Sequence, residues 1–331
     1  SRPTPSADNG TATVLPLSTE GKSPTASSRL TPQGRKAARA GGRSGAMGIA
    51  CPLFFPMQTD FHRQAKVVLV TGATTGIGAS IAHVLAAAGH RVWGTGRRAK
   101  TAPPLPGKPG SIALDVTQPD TVDAAISTII KEEGRLDAVV NNAGIGMMGA
   151  MGDTTEEELL TIYRTNVIGL HTVSKTAIPH LIAAQGHLIH VGSVAGVVGL
   201  PFRGVYCSSK AAVELIAEAQ SMELARHGVR VTVLRPGDFK TAINANRLRV
   251  AQPNHDLNPG FEAVCDAVNA EVAHAKDPAD MGKAVLKLLG QKKPPLYVTV
   301  APPLQKLAIR LKRVLPDRIF EALIARRYPL R

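Results

Sequence analysis

Between Lys66 and Val300 the apolar positions alternate between two periods. Val67–Val70, Arg91–Thr95, Ser111–Leu114, Ala138–Asn141, His187–Val191, Val229–Leu234 and Leu296–Val300 are short runs dominated by apolar side chains, which the spacing reads as strands. Between them, Ile77–Ala88, Asp120–Glu133, Ala211–Arg226 and Pro278–Leu289 carry apolar residues at helical spacing. Thr155-x-x-Glu158 has the form of a capping box opening a long helix toward Ile182. The strands are apolar throughout, which fits strands buried on both faces, and strand–helix alternation fits parallel connections. The expectation is an α/β chain with a single doubly wound parallel sheet of about seven strands and helices on both faces, over residues 61–302.

The two ends read differently. Residues 1–46 are rich in Ser, Thr, Pro, Gly, Ala and Arg without a hydrophobic period, so an extension reaching about residue 60 is expected to be disordered. Its Arg/Ser bias and low acidity are similar to an organelle transit peptide. The preferred reading is that translation begins at Met47 or Met57 and the upstream stretch is spurious. Cys51–Met57 is apolar but broken by two prolines, unlike a secretory signal. No run reaches the roughly 18 apolar residues of a membrane span. Residues 303–331 form a basic amphipathic tail: Leu304, Leu307, Ala308, Leu311 and Val314, then Ile319, Phe320, Leu323 and Ile324 beyond Pro316, recur among Lys306, Arg310, Lys312 and Arg313. Such a tail can pack on its own domain or a partner subunit, lie on an anionic membrane surface, or close over a substrate.

Charge changes the picture only at those ends. The 331 residues are 44% hydrophobic and 19% charged, with a formal net charge of +14. Residues 1–46 hold seven Lys/Arg against two Asp/Glu and residues 291–331 hold ten against two, which leaves 22 against 21 in the body. A nearly neutral body argues against a nucleic-acid partner. Cys51, Cys207 and Cys265 are sparse and lack metal-like spacing, so a reducing compartment, a cytoplasmic location and no disulfide framework are expected. His187 and His190 show no ligand spacing and read as structural; no metal site is expected.

The first chemistry-bearing segment is Thr71-Gly72-Ala73-Thr74-Thr75-Gly76-Ile77-Gly78, between the first strand and first helix. Glycines there let the backbone approach a pyrophosphate, and the helix N-terminus offers free N–H groups, as in a Rossmann fold. The spacing is GxxxGxG rather than GxGxxG. An acid closing the second strand would hold the adenosine ribose hydroxyls and repel a 2′-phosphate. That strand instead ends Gly96-Arg97-Arg98, and guanidinium groups suit phosphate, so NADP(H) is expected over NAD(H), with Arg97 the main contact.

Further motifs follow in order: Asp115-Val116-Thr117, Asn141-Asn142-Ala143-Gly144, Asn166, Gly192-Ser193-Val194-Ala195-Gly196, Tyr206-Cys207-Ser208-Ser209-Lys210, and Arg235-Pro236-Gly237 followed by Thr241. Tyr206 and Lys210 are four positions apart, one face of a helix. A free Tyr hydroxyl, with a pKa of about 10, is a weak base near neutrality, and a neighbouring ammonium favours its phenolate. Ser193 can donate to a developing oxyanion. Together the segments resemble the classical short-chain dehydrogenases/reductases from about Lys66 to Asn246, most like their 17β-hydroxysteroid dehydrogenase-like branch. The resemblance implies Tyr206 as general acid/base, Lys210 binding the nicotinamide ribose and tuning Tyr206, Ser193 polarising substrate, and Asn166 supporting a water-linked proton relay. It further implies that Gly72, Thr74, Thr75, Gly76, Ile77 and Gly78 hold pyrophosphate and that Asp115 and Val116 meet the adenine. Asn142, Ala143 and Gly144 would brace the fourth strand beside the cofactor, and Pro236, Gly237 and Thr241 flank the nicotinamide. Where the family often has two serines, this chain has Gly192-Ser193, keeping the functional one.

The expected reaction is NADP(H)-dependent interconversion of a carbonyl and an alcohol. Met147, Met148, Leu200 and Phe202 make the loops beyond the strand ends apolar, which favours a steroid-, retinoid- or lipid-like small-molecule substrate. The resemblance implies a homodimer or homotetramer. Two alternatives remain: a non-catalytic nucleotide-sensing or scaffold protein, and a peripheral membrane protein acting through its tail.

Overall fold

The computed structural model describes residues 65–97, 110–240, 247–273 and 275–330. The expected N-terminal extension, Arg98 and Thr241 lie outside them. Seven strands form one sheet: β1 (Val67–Val70), β2 (Arg91–Gly96), β3 (Ser111–Ala113), β4 (Ala138–Asn141), β6 (His187–Val191), β7 (Arg230–Pro236) and β9 (Tyr297–Val300). Their order is β3-β2-β1-β4-β6-β7-β9, every pair parallel. Successive strands are added outward in one direction from β1 and in the other from β4, so the switch between these two neighbours opens a crevice at their carboxyl ends.

Each strand feeds two cores, because successive side chains point to opposite faces. Val67 and Leu69 face α2 (Pro119–Glu133), α4 (Leu170–Ala184) and α5 (Gly204–Ala225), meeting Val122, Ile126, Val173, Leu181 and Leu224. Val68 and Val70 face α1 (Gly76–Ala87) and α7 (Ala279–Leu289), meeting Ile81, Leu85, Met281 and Val285. This is the doubly wound Rossmann arrangement expected from the continuous apolar strands.

The helix expected from Thr155 toward Ile182 is interrupted. Thr155 and Glu158 do form a capping box for α3 (Glu156–Tyr163). A π-helical turn, Arg164–Gly169, then separates α3 from α4. Gly169 allows it: a Cβ there would stand 2.7 Å from Val116 Cγ2, so the turn packs directly on the loop after β3. A second sheet, β5 (Met147–Met148) with β8 (Leu248–Arg249), and α6 (Phe261–Ala273) build the rim of the crevice. The amphipathic tail is two helices, α8 (Pro303–Val314) and α9 (Asp317–Ala325), divided at Pro316. Ile309, Phe320 and Tyr328 of this segment are buried.

Candidate active site

The loop after β1 is tied to β4 by two side chains. Thr71 Oγ1 accepts from the Asn142 and Ala143 N–H groups, each at 3.0 Å. Asn142 Nδ2 donates back to Thr71 O and Gly72 O at 2.9 and 3.1 Å. Gly72 and Gly76 take φ of +64° and +58°, where side chains are strained. Gly78 has a packing role: a Cβ would overlap Asn142 Nδ2 and Gly72 O, so its absence brings α1 against the loop. Thr75 at the N-cap makes no side-chain capping bond and the first turn of α1 holds no acid, leaving N–H groups for an anion.

A cavity of about 1610 Å³ runs from this turn across the strand ends to the tail helices. Its wall includes Gly72, Thr74, Thr75, Gly76, Ile77, Arg97, Asp115, Val116, Asn142, Ala143, Gly144, Pro236 and Gly237. Asp115 is held by its own turn, its Oδ1 accepting from Thr117 N and Oγ1 at 2.9 and 2.8 Å. A Cβ on Gly96 would overlap Thr74 Cγ2, so a side chain there would require Thr74 to turn away.

Ser193, Tyr206 and Lys210 line the same cavity. Ser193 is buried at the end of β6, its Oγ accepting from Ala195 N at 3.1 Å. A hydrogen bond with Ser193 favours the Tyr206 phenolate, as do the charges of Arg203 and Arg247. Burial outweighs them and pushes the Tyr206 hydroxyl above its ordinary pKa. Lys210, expected to tune that hydroxyl, donates a hydrogen bond to Val191 O at 2.9 Å, and burial pulls its ammonium down to about 8.

Asn166 sits in the π turn, buried, off the cavity wall. Its Nδ2 donates to Ile145 O and Ser209 Oγ at 3.0 Å each, and its Oδ1 accepts from Ile145 N at 2.8 Å. Ser209 Oγ in turn donates to Tyr206 O at 2.7 Å. Asn166 therefore clamps the turn after β4 to the helix bearing Tyr206 and Lys210. A Cβ on Gly144 would lie 3.1 Å from Asn166 Oδ1 and 3.4 Å from Lys210 Nζ, so this glycine keeps the floor between them open.

Of the four expected pocket residues, Met147 and Leu200 line the cavity. Met148 and Phe202 do not. Adjacent strand residues face opposite ways, and Met148 belongs to a buried cluster with Phe261, Val264 and Val268. Phe202 packs edge-on against Phe261, ring centroids 5.3 Å apart. Arg203, Arg247, Gln305 and Tyr328 are on the wall without having been expected there, and Leu304 and Ala308 of the tail join them, as the substrate-closing alternative for the tail requires. Among the described residues no group of His, Cys, Asp or Glu is arranged to hold a metal. His187 and His190 are buried partners of Thr232 (3.0 Å) and Gln220 (2.8 Å), and burial holds them down to about 3 and about 4.

A parallel α/β sheet with a glycine-lined crevice at its switch point defines a dinucleotide-binding class of protein. The family model for short chain dehydrogenases matches residues 66–251. The chain is 34% identical over 271 residues to the 3-ketodihydrosphingosine reductase of Bacteroides thetaiotaomicron, covering 81% of this chain and 100% of that protein. It is 30% identical to dehydrogenase/reductase SDR family member 7B of Bos taurus, covering 78% of this chain and 81% of that protein. A solved short-chain dehydrogenase from Streptomyces avermitilis matches with a TM-score of 0.69 at 28% identity, over 78% of this chain and 95% of that one. The chain belongs to the short-chain dehydrogenase/reductase family and is an oxidoreductase of that family. These relatives do not single out the hydroxysteroid dehydrogenase-like branch.

Proposed function

We propose that the chain is an NADPH-dependent carbonyl reductase acting on a hydrophobic ketone or aldehyde, with Tyr206 as proton donor. The observation that carries this reading is the meeting of Ser193, Tyr206 and Lys210 on one wall of the cavity that begins at the glycine turn. The residues present fit a dinucleotide: positive-φ glycines, an uncapped helix N-terminus and the cleared floor at Gly144 form its cradle. The nicotinamide supplies hydride when bound. Tyr206 holds its proton at neutral pH because burial raises its pKa, which suits donation to the oxygen that gains charge as hydride reaches carbon. Ser193 orients that oxygen, and Lys210, tethered to Val191, presents a cation beside the ribose position. Asn166 positions both by fixing the backbone on either side.

NADPH is favoured over NADH because Arg97 lines the cavity at the end of β2 and Thr74 closes the place where a ribose-binding acid would stand. A hydrophobic substrate is favoured because Met147, Leu200, Leu304, Ala308, Leu323 and Ile324 wall the far end. A panel of ketones, aldehydes and alcohols followed by nicotinamide absorbance tests the reading. NADPH oxidation with long-chain carbonyls supports it; no turnover with any carbonyl or alcohol contradicts it.

A second reading concerns the outer face of the tail. Leu307, Val314 and Ile319 are exposed beside basic residues and off the cavity wall, the composition of a helix pair resting on an anionic membrane. No helix among the described residues is long and apolar enough to cross one. Unchanged partitioning to anionic vesicles after deletion of residues 303–331 would remove this reading.

A further inference from the structure

Besides Arg326 and Arg327 of the tail, the substrate end of the cavity contains two cations that the proposed reduction does not use. Arg203 caps the start of α5, three residues before Tyr206, and Arg247 enters from the strand β8 side; both are half-buried and line the cavity with Tyr206 and Ser193. Arg203 Nη2 donates to the Tyr328 hydroxyl at 2.6 Å, with the guanidinium 5.6 Å from that ring's centroid. Its Nε is buried and has no hydrogen-bond partner among the described residues. Arg247 packs on Gly146, where a Cβ would stand 3.4 Å from its Cγ, and its Nη1 donates to Asn269 Oδ1 at 3.3 Å.

Neither guanidinium is in an ion pair among the described residues. Two acids share this end of the wall: Glu271 pairs with Arg327 at 2.6 Å, and Asp238 accepts from Gln305 Nε2 while its charge also reaches Arg247 without an ion-pair contact. Arg164, also on the wall, is paired with Glu157 at 2.8 Å. A guanidinium stays charged at any working pH, so two of them on one cavity wall repel each other, and their recorded acceptors, the Tyr328 hydroxyl and Asn269 Oδ1, are neutral. Burial and the charge of Arg203 both pull the Arg247 pKa below its ordinary value, consistent with that repulsion. An anion between them would relieve it and supply an acceptor for Arg203 Nε.

We propose that Arg203 and Arg247 form an anion-binding subsite, so that the substrate is an amphipathic carbonyl compound bearing a phosphate or carboxylate a few bonds from the reacting carbon. Its apolar chain runs along Leu304, Ala308, Leu323 and Ile324 of the tail helices. This rests on the carbonyl-reductase reading and narrows it. It separates this chain from a long-chain amino ketone of the kind named for the Bacteroides relative, whose ammonium the two arginines would repel.

The test is calorimetric titration of the full-length protein with octyl phosphate, octanoate, octanol and octylammonium, in parallel with turnover of the matching keto compounds. Octyl phosphate or octanoate is expected to bind at least about tenfold more tightly than octanol, the gain from a charge-assisted contact; which of the two leads identifies the anion. Arg203→Gln combined with Arg247→Gln is expected to erase that preference, while the paired Lys substitutions keep most of it. Equal binding of octanol, tighter binding of octylammonium, or a preference that survives the double Gln variant overturns the proposal. A preference lost in Arg97→Ala instead overturns it too, because the anion then sits at the cofactor end. Absent turnover with the binding preference intact would sink the reductase reading and leave the subsite standing.

Discussion

Gln305 of α8 holds Asp238 at both ends: its Oε1 accepts from the Asp238 N–H at 3.3 Å and its Nε2 donates to the Asp238 carboxylate. Gly237 makes this possible, since a Cβ there would overlap the Gln305 amide. The tail is thereby fastened to the loop after β7, beside the expected nicotinamide position, and becomes a wall of the cavity. Loss of one such bond costs roughly 1–2 kcal/mol. Gln305→Ala is expected to raise KM for a long-chain carbonyl by about five- to tenfold, with a smaller change in kcat. Steady-state kinetics on long and short carbonyls check this; equal effects on both would detach the tail from substrate binding.

On the proposed reading, the preference for NADPH turns on Arg97. Its truncation is expected to weaken NADPH by roughly 1.5–3 kcal/mol, the range for a hydrogen bond to a charged group, and to spare NADH. Dissociation constants for both nucleotides measure it directly. Equal losses would remove the phosphate contact.

The pH profile follows from the two buried groups. Tyr206 is pushed up and stays protonated through neutral pH, while Lys210 is pulled down to about 8. Reduction should therefore be flat near neutrality and fall as pH rises past about 8, where Lys210 gives up its charge. Alcohol oxidation, which needs the phenolate, should rise over the same interval. Rates of both directions from pH 6 to 10, at saturating nucleotide, decide this; parallel profiles would contradict it.

Stability has its own pH dependence. His190 is neutral and buried between Asn141 and Gln220, with its pKa pulled down to about 4. Its folded pKa lies below the unfolded value of about 6.5, so the contribution is complete above that value and is lost as pH falls toward 4. The melting temperature should drop through that window, and His190→Gln should flatten the drop. An unaltered slope in the variant would place the titration elsewhere.

Beneath the site, Arg235 Nε donates to Glu214 Oε1 at 2.7 Å in a buried pair, and its guanidinium lies 3.7 Å from the Tyr297 ring centroid. Glu214→Leu leaves that cation buried and unpaired and is expected to cost about 3–5 kcal/mol in denaturant unfolding. A loss under about 1 kcal/mol would mean the pair is solvated and contributes little.

These relationships were unevenly legible in the sequence. The strands stand out because burial on both faces of the central ones leaves few polar positions, and the glycine turn and the Tyr206–Lys210 spacing are local patterns. Helix α6 carried a signal too: Phe261, Val264, Cys265, Val268 and Val272 recur at helical spacing. The π turn was not readable, because the contact that allows it, Gly169 on Val116, joins distant segments. Met147 and Met148 were read as a pair although strand geometry sends them to opposite sides. Amphipathic spacing announced the tail helices but left open whether they pack on the domain, meet a membrane or close a cavity. That depends on Gln305 meeting Asp238, and on Tyr328 meeting Arg203.

The most direct measurement of the central claim is single-turnover NADPH oxidation by Tyr206→Phe, with nucleotide binding followed in the same samples. The account predicts NADPH affinity within about twofold of the parent and a chemical step slowed by at least about a thousandfold, the scale of losing a positioned proton donor. A variant that still turns over a carbonyl near the parent rate would contradict it.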